Sequence, residues 1–416
     1  MTSSEINAAG PVSSSDRIPS IDVLRGFAVL GILIMNIQSF SMIGAAYLNP
    51  YAYGDLNGVN YAVWFLSHLL ADSKFMTIFS LLFGAGVVLM ASRREETGRP
   101  AAGVHYRRTF WLIVFGLLHG LCLWYGDILF TYGVCGLWVF LFRRRSPRFL
   151  LIAGFVVLSV ASLLTMLWQV TMPYWPPEVV ESLETQWWTP PSAAVQTEVE
   201  AYRGGWSEQQ TARGPTAVYM QTNHLLTEYL WRAGGLMLIG MAFFKLGIFS
   251  AERSRDFYLR MTSLGFGLGL PIVVWGVLYR NSCAWDVRSA FFGGSQFNYW
   301  GSLLVAAGWI GLVMSTCQKK SMERLTRPLG SVGQMALSCY LLQTIICTTI
   351  FYGHGFGLYG SMSRVGQALI VSAVWAFLLV FCPFWLRRFR FGPFEWLWRS
   401  LTYMKLQPLK VERSVA

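Results

Sequence analysis

The chain has 416 residues, of which 54 % are hydrophobic and only 13 % charged, with a mean hydropathy of +0.44. Soluble domains carry about 25 % charged residues, so a chain of this length lacks the polar surface to cover a water-soluble globule. Its net charge of +12 is divided among short clusters between apolar blocks, which excludes a continuous nucleic-acid-binding face and points to control of membrane topology.

Taken in chain order, residues 1–20 read as a polar, Ser-rich cytoplasmic tail, with no small-residue cleavage site before the first apolar block. Ten apolar runs follow, at about 21–46, 69–92, 108–125, 127–142, 149–171, 229–249, 258–279, 297–316, 332–352 and 366–386. Most approach the roughly 20 residues that cross a ~30 Å hydrocarbon core, and none alternates with period two, so helices are expected and a barrel is not. The connections alternate in charge. Arg93, Arg94, Arg99, Arg107 and Arg108 precede the third run, Arg143 to Arg148 follow the fourth, and similar clusters follow the sixth, eighth and tenth. This puts 26 of the 33 basic residues on one side and predicts both termini in the cytoplasm. The expected protein is all-α, a polytopic integral membrane protein of about ten transmembrane helices. Its five-helix halves, 21–171 and 229–386, flank a Trp-, Pro- and Glu-rich external loop at 172–228. A cytoplasmic amphipathic helix and tail occupy 387–416.

Ionisable groups inside such a bundle need a reason to be there. His119 ends the third run and Asp127 opens the fourth after the Trp124-Tyr125-Gly126 turn, so a short hairpin brings them to one level. An imidazole oriented by a carboxylate can take a proton from a hydroxyl or amine during acyl transfer; the plain alternative is a satisfied core His and a helix-capping Asp. Asp22 and Arg25, three apart, form either a cap and anchor or a cytoplasmic anion site, with Arg93 and Arg94 nearby to help hold a phosphate-bearing donor. Asp72 and Lys74 open the second run from outside, and Gly84-Ala85-Gly86 permits close helix packing. Glu228 and Arg232 have helix-pair spacing, Gln343 suits interhelical hydrogen bonding, and His354 in a Gly-rich turn is a second catalytic or acceptor-binding candidate. His68, His105 and His224 have no evident partner. No Cys or His grouping has metal spacing, so neither a metal nor a redox cofactor is expected.

Six segments in order, RIPSIDVLRGFAVLGILIMN, DSKFMTIFSLLFGAG, RRTFWLIVFGLLHG…GDILFTYGVCGL, WRAGGLMLIGMAFFKLGI, GQMALSCYLLQTIICTTIFYGHGFGL and GPFEWLWRSLTY, resemble the YeiB-like family of bacterial membrane proteins. Through its DVLRG-type first span and aspartate-led second span that family is related to transmembrane acyltransferases such as heparan-α-glucosaminide N-acetyltransferase. The resemblance implies an inner-membrane enzyme with acyl-CoA, acetyl-CoA foremost, as cytoplasmic donor and a small-molecule or glycan acceptor reached from outside. The lysosomal enzyme's catalytic His precedes its second span; His68 here does not fall into that register, which puts His119 first. The bundle contacts membrane lipids, a homodimer is compatible with it, and no nucleic acid is expected. The rival reading is a transporter or exporter of a small molecule or lipid-linked intermediate, using the same polar groups without covalent chemistry.

Overall fold

A computed structural model describes residues 17–411 and is all-helical apart from one isolated bridge between Phe389 and Lys410. The tail expected over 1–20 lies outside the described residues up to residue 16, as do 412–416 at the other end. The principal helices are α1 (Pro19–Ser41), α2 (Gly58–Leu70), α3 (Lys74–Glu96), α4 (Ala102–Leu118), α5 (Leu129–Val139) and α6 (Pro147–Thr171). They continue with α7 (Pro177–Leu183), α8 (Ser192–Arg203), α9 (Trp206–Tyr219), α10 (Leu230–Lys245), α11 (Arg255–Ser282) and α12 (Ser295–Cys317). The last four are α13 (Glu323–Gln334), α14 (Ala336–Phe351), α15 (Arg364–Leu386) and α16 (Pro393–Tyr403).

Each expected apolar run falls on a helix, but the helices are unequal. Among the described residues six helical segments are long and apolar enough to cross a membrane, or seven if a bent pair counts as one span. The bent pair joins α13 to α14 at 82°, within the run expected as one helix at 332–352. The runs at 108–125, 127–142 and 229–249 yield helices of only 17, 11 and 16 residues. Here π-helical turns at His119–Leu123 and Met220–Tyr229 interrupt or precede the α-helix and take up part of the chain.

Helix α1 is the axis of the bundle. Its apolar window is 72 % buried, against 22 % for α15 at the periphery. It packs against α3, α12, α13, α14 and α15, while α10 lies against α3, α5 and α6. Contact is backbone-close where small residues face a neighbour: a methyl on Gly84 would meet the Met237 carbonyl, and one on Gly240 the Leu81 carbonyl. Gly86, from the same expected packing run, faces open space.

The segment expected as an external loop at 172–228 is helical. Its proline pairs, which suggest irregular chain, start helices: Pro177 opens α7 and Pro191 precedes α8. Helices α8 and α9 lie across the end of the bundle opposite the basic clusters. Glu198 accepts from the Gly44 amide at 3.0 Å and the Tyr359 hydroxyl at 2.9 Å, and Arg203 donates to the Tyr359 carbonyl at 2.7 Å. At the basic end, α16 packs on α4 and α14. Glu395 of α16, itself buried, accepts from the Leu337 and Ser338 amides at 2.6 and 3.0 Å, capping α14 at the bend.

Two outcomes follow. Gly84→Ala forces α3 off α10 and lowers stability by about 1–3 kcal/mol, whereas Gly86→Ala is neutral or slightly stabilising; thermal unfolding of the purified protein in detergent separates them. Glu395→Ala strands two amides at a buried helix start, for a loss of about 1–3 kcal/mol. Glu395→Gln keeps one acceptor oxygen and loses less in the same assay.

Candidate functional site

The hairpin between α4 and α5 closes as the spacing suggests. Beyond Leu118 the chain makes one π-turn, His119–Leu123, then turns through Trp124, Tyr125 and Gly126 to Asp127. His119 Nδ1 stands 2.8 Å from Asp127 Oδ1, both residues are buried, and Asp127 Oδ2 accepts from the Phe130 amide at 2.7 Å. One carboxylate therefore caps α5 and orients the imidazole; the alternatives posed by the sequence coexist. With Nδ1–H given to Asp127, Nε2 is left as an acceptor, and the buried Thr344 hydroxyl of α14 lies 3.0 Å from it. The result is a carboxylate–imidazole–hydroxyl chain. Among the described residues His119 is the only basic side chain within 4 Å of the Asp127 carboxylate.

Thr344 lies roughly 12 Å of helical rise from Ala336, the start of α14, so the imidazole sits near the middle of α14. The Tyr340 ring packs 5.1 Å from it, centroid to centroid, and Trp124 closes another side at 6.2 Å.

The helical cover is fastened to this hairpin. A helix end leaves carbonyls without partners, and here Arg213 of α9 donates to the Leu123 and Cys122 carbonyls at 2.6 and 2.7 Å while Gln210 donates to Leu121 at 2.9 Å. The side-chain amide of Gln221 lies against Gly120, next to His119, and its buried nitrogen has no acceptor. Neither Thr344 nor Gln221 carries a sequence signal: one is a Thr in an apolar helix, the other a Gln in a polar connection.

A second His–Asp pair was not expected. The chain breaks between α2 and α3 at Ser73, in the left-handed region with φ 64°, and the break turns Asp72 back on His68. His68 Nδ1 lies 2.9 Å from Asp72 Oδ2, so the histidine does have a partner, at H-x-x-x-D spacing. Asn298 of α12 donates to Asp72 at 2.9 Å. Fully buried Lys74 donates to Asn298 Oδ1 at 2.6 Å and to the His68 carbonyl at 2.7 Å. Arg280 lies within electrostatic range of Asp72, and Arg232 of Lys74. Among the described residues each aspartate has its histidine as its only ion-pair partner within 4 Å, but Asp72 also accepts from Asn298 beside buried Lys74, whereas Asp127 also caps α5.

The remaining expectations separate. Arg232 does not pair with Glu228: it donates to Ser302 at 2.8 Å and stacks on Tyr299, while Glu228 lies 3.8 Å from His224. The π-turn ending at Tyr229 breaks the four-residue register between them. Gln343 donates to the Val29 carbonyl of α1 at 3.2 Å, as a helix tie. His354 lies beyond α14 and pairs with Gln209 at 3.2 Å, making no contact with His119 or Asp127. Desolvation, then the Arg213 charge, lowers its imidazole below the ordinary value. His105 bonds the Gly136 carbonyl at 2.8 Å. At the basic end Arg25 pairs with Asp22 at 3.0 Å. Its electrostatic neighbours include Arg17, Arg108 and Arg399, none of them anticipated at this site. Arg93 and Arg94 occupy the last turn of α3, where Arg94 donates to the Pro100 carbonyl.

The family described as Protein of unknown function (DUF418) matches residues 243–405, from the end of α10 through α16. The chain is similar to "Uncharacterized protein YeiB" of Escherichia coli (strain K12), 32 % identical over 402 residues that cover 94 % of this chain and 98 % of that one. It is similar to "Uncharacterized protein YxaH" of Bacillus subtilis (strain 168), 29 % identical over 439 residues, 97 % and 99 % of the two chains. A third relative, "Uncharacterized 39.9 kDa protein in amylase 3'region" of Bacillus acidopullulyticus, is 26 % identical over 97 % of this chain and 99 % of its own. With an all-helical bundle, six ordered motifs and this likeness over nearly the whole of both chains, the protein belongs to the YeiB-like family.

Proposed function

We propose that the protein is an acyltransferase of the bacterial inner membrane, crossing it ten times with both termini in the cytoplasm. The basic clusters support that orientation, and the short helices α4, α5 and α10 complete the count. In this topology α8 and α9 cover the outer end and α16 lies in the cytoplasmic interface.

The observation that carries the chemistry is the carboxylate–imidazole–hydroxyl chain of Asp127, His119 and Thr344, at 2.8 and 3.0 Å. His119 takes the proton of an acceptor hydroxyl or amine that occupies the place of the Thr344 hydroxyl. The acceptor oxygen or nitrogen bonds to the acyl carbon, the carbon–sulfur bond of the donor thioester breaks, and the imidazolium returns its proton to the departing thiolate. Gln221, with a buried amide lacking an acceptor, is suited to receive the oxyanion. His119 keeps its second ring nitrogen facing a hydroxyl, and Asp127 bonds only that imidazole and one backbone amide among the described residues, whereas Asp72 also takes the Asn298 amide; this favours His119 over His68 as base. Arg25 with Arg17, Arg108 and Arg399 would hold the phosphates of a coenzyme-A-type donor at the basic end. From the level of α14's first residue, the acyl group has roughly 12 Å to travel to Thr344, less than half the ~30 Å core. Transport remains the competing class, favoured by the α13–α14 bend and the break at Ser73.

A cysteine placed at exposed Ser207, in the first turn of α9, is expected to react with an impermeant thiol reagent from the periplasm in spheroplasts; labelling only after lysis overturns the topology. For the chemistry, purified protein is incubated with acetyl-CoA and thiol release is followed. His119→Ala and Asp127→Asn each reduce release by about 10²–10⁴-fold, and His68→Ala reduces it less. Absence of acetyl-CoA binding and turnover in the wild type, together with uptake of an unmodified solute into vesicles, rejects acyl transfer in favour of transport.

A further inference from the structure

Arg364 opens α15 and is among the most deeply buried side chains of the protein, with 1 % of its surface exposed. No carboxylate of the described residues lies within ion-pair distance of it. Two neutral oxygens meet its guanidinium: Gln38 Oε1 accepts from Nη1 at 2.9 Å and the Pro50 carbonyl from Nη2 at 3.1 Å. Nε–H, equally buried, has no acceptor. Burying a cation without a counter-charge is costly, and one partner short it is costlier still.

The same side chain lines a cavity of about 200 Å³ between α1, α2 and α15. A water molecule needs roughly 10–15 Å³ of such space, so the room exceeds what hydrating one N–H requires. The walls are graded. Around Arg364 stand Gln38 and Gln367; deeper along α1 and α15 come Ile34, Val371 and Trp375, with Trp64 of α2 opposite. From Arg364 to Trp375 the helix rises about 16 Å. The cavity is thus cationic and polar at one end and mainly apolar along its length, with Ser67 and Ser372 the further polar residues of its lining. It abuts the least buried of the long helices, α15.

We propose that this cavity binds an amphiphilic anion, its carboxylate or phosphate head on Arg364 and its apolar tail between Ile34, Val371 and Trp375. A single cation with one open N–H suits one head group, and the apolar walls suit a chain better than a free inorganic ion. Two sources share this chemistry, an anionic membrane lipid and a free fatty carboxylate. The inference is independent of acyl transfer, because none of these residues enters the proposed chemistry at His119.

The test uses the purified full chain in an uncharged detergent. Thermal stabilisation is titrated with dodecanoate, dodecyl phosphate, dodecanol and inorganic phosphate, each amphiphile below its critical micelle concentration. Dodecanoate and dodecyl phosphate are expected to act at concentrations at least 10-fold below the other two. Arg364→Gln abolishes the difference between dodecanoate and dodecanol. Val371→Trp, which fills the apolar end and leaves Arg364 intact, weakens both tailed anions at least 10-fold and decides the matter if the arginine variant does not fold. Displacement of dodecanoate by phosphatidylglycerol assigns the site to a bilayer lipid, and failure of that displacement assigns it to a free carboxylate. Equal potency of dodecanol and dodecanoate in the wild type overturns the proposal, as does unchanged dodecanoate binding in both variants.

Discussion

The bundle is governed by one demand: every backbone N–H and C=O released where a helix stops must find a partner, because the surroundings are apolar and supply none. Continuous helices meet it internally. This chain interrupts its helices at His119, at Ser73, and between Gln334 and Ala336, and each interruption is answered by a side chain from elsewhere. Arg213 and Gln210 reach in from the cover to the carbonyls after His119, and Glu395 reaches across to the amides at the head of α14. The outer cover and the terminal helix are therefore hydrogen-bonded parts of the bundle and complete helices that would otherwise be incomplete.

The same interruptions assemble the polar clusters. A helix that continued past Leu118 would carry His119 away along its own face, with no carboxylate opposite. The π-turn and the three-residue link to Asp127 fold the chain back, and Gly116 and Gly120 leave room for the returning strand of backbone and for Gln221. At the junction of α2 and α3, the left-handed Ser73 likewise swings Asp72 onto His68 and seats Lys74 against Asn298. Polar clusters thus form at breaks, where the backbone already requires polar company.

Much of the architecture was legible in sequence because hydrophobic run length and arginine spacing act locally. The runs give the helices in order, and the Trp124-Tyr125-Gly126 turn gives the approach of His119 to Asp127. Other features depend on partners far along the chain. Thr344 is 225 residues from His119, and Asn298 is 226 from Asp72; no local pattern announces either. Local pattern misled in two places. Paired prolines at 176–177 and 190–191 suggest a loop but begin helices. The four-residue step from Glu228 to Arg232 suggests an ion pair, but a π-turn has changed the pitch. His68 was passed over because its partner lies across a helix break, which is invisible without the left-handed residue.

The tie between Glu395 and the head of α14 also joins two distant parts of the chain. Helix α14 carries Thr344, and its first turn is held by a residue of α16. Severing that tie leaves two amides without an acceptor at the bend, so a change in α16 bears on the seat of the hydroxyl opposite His119.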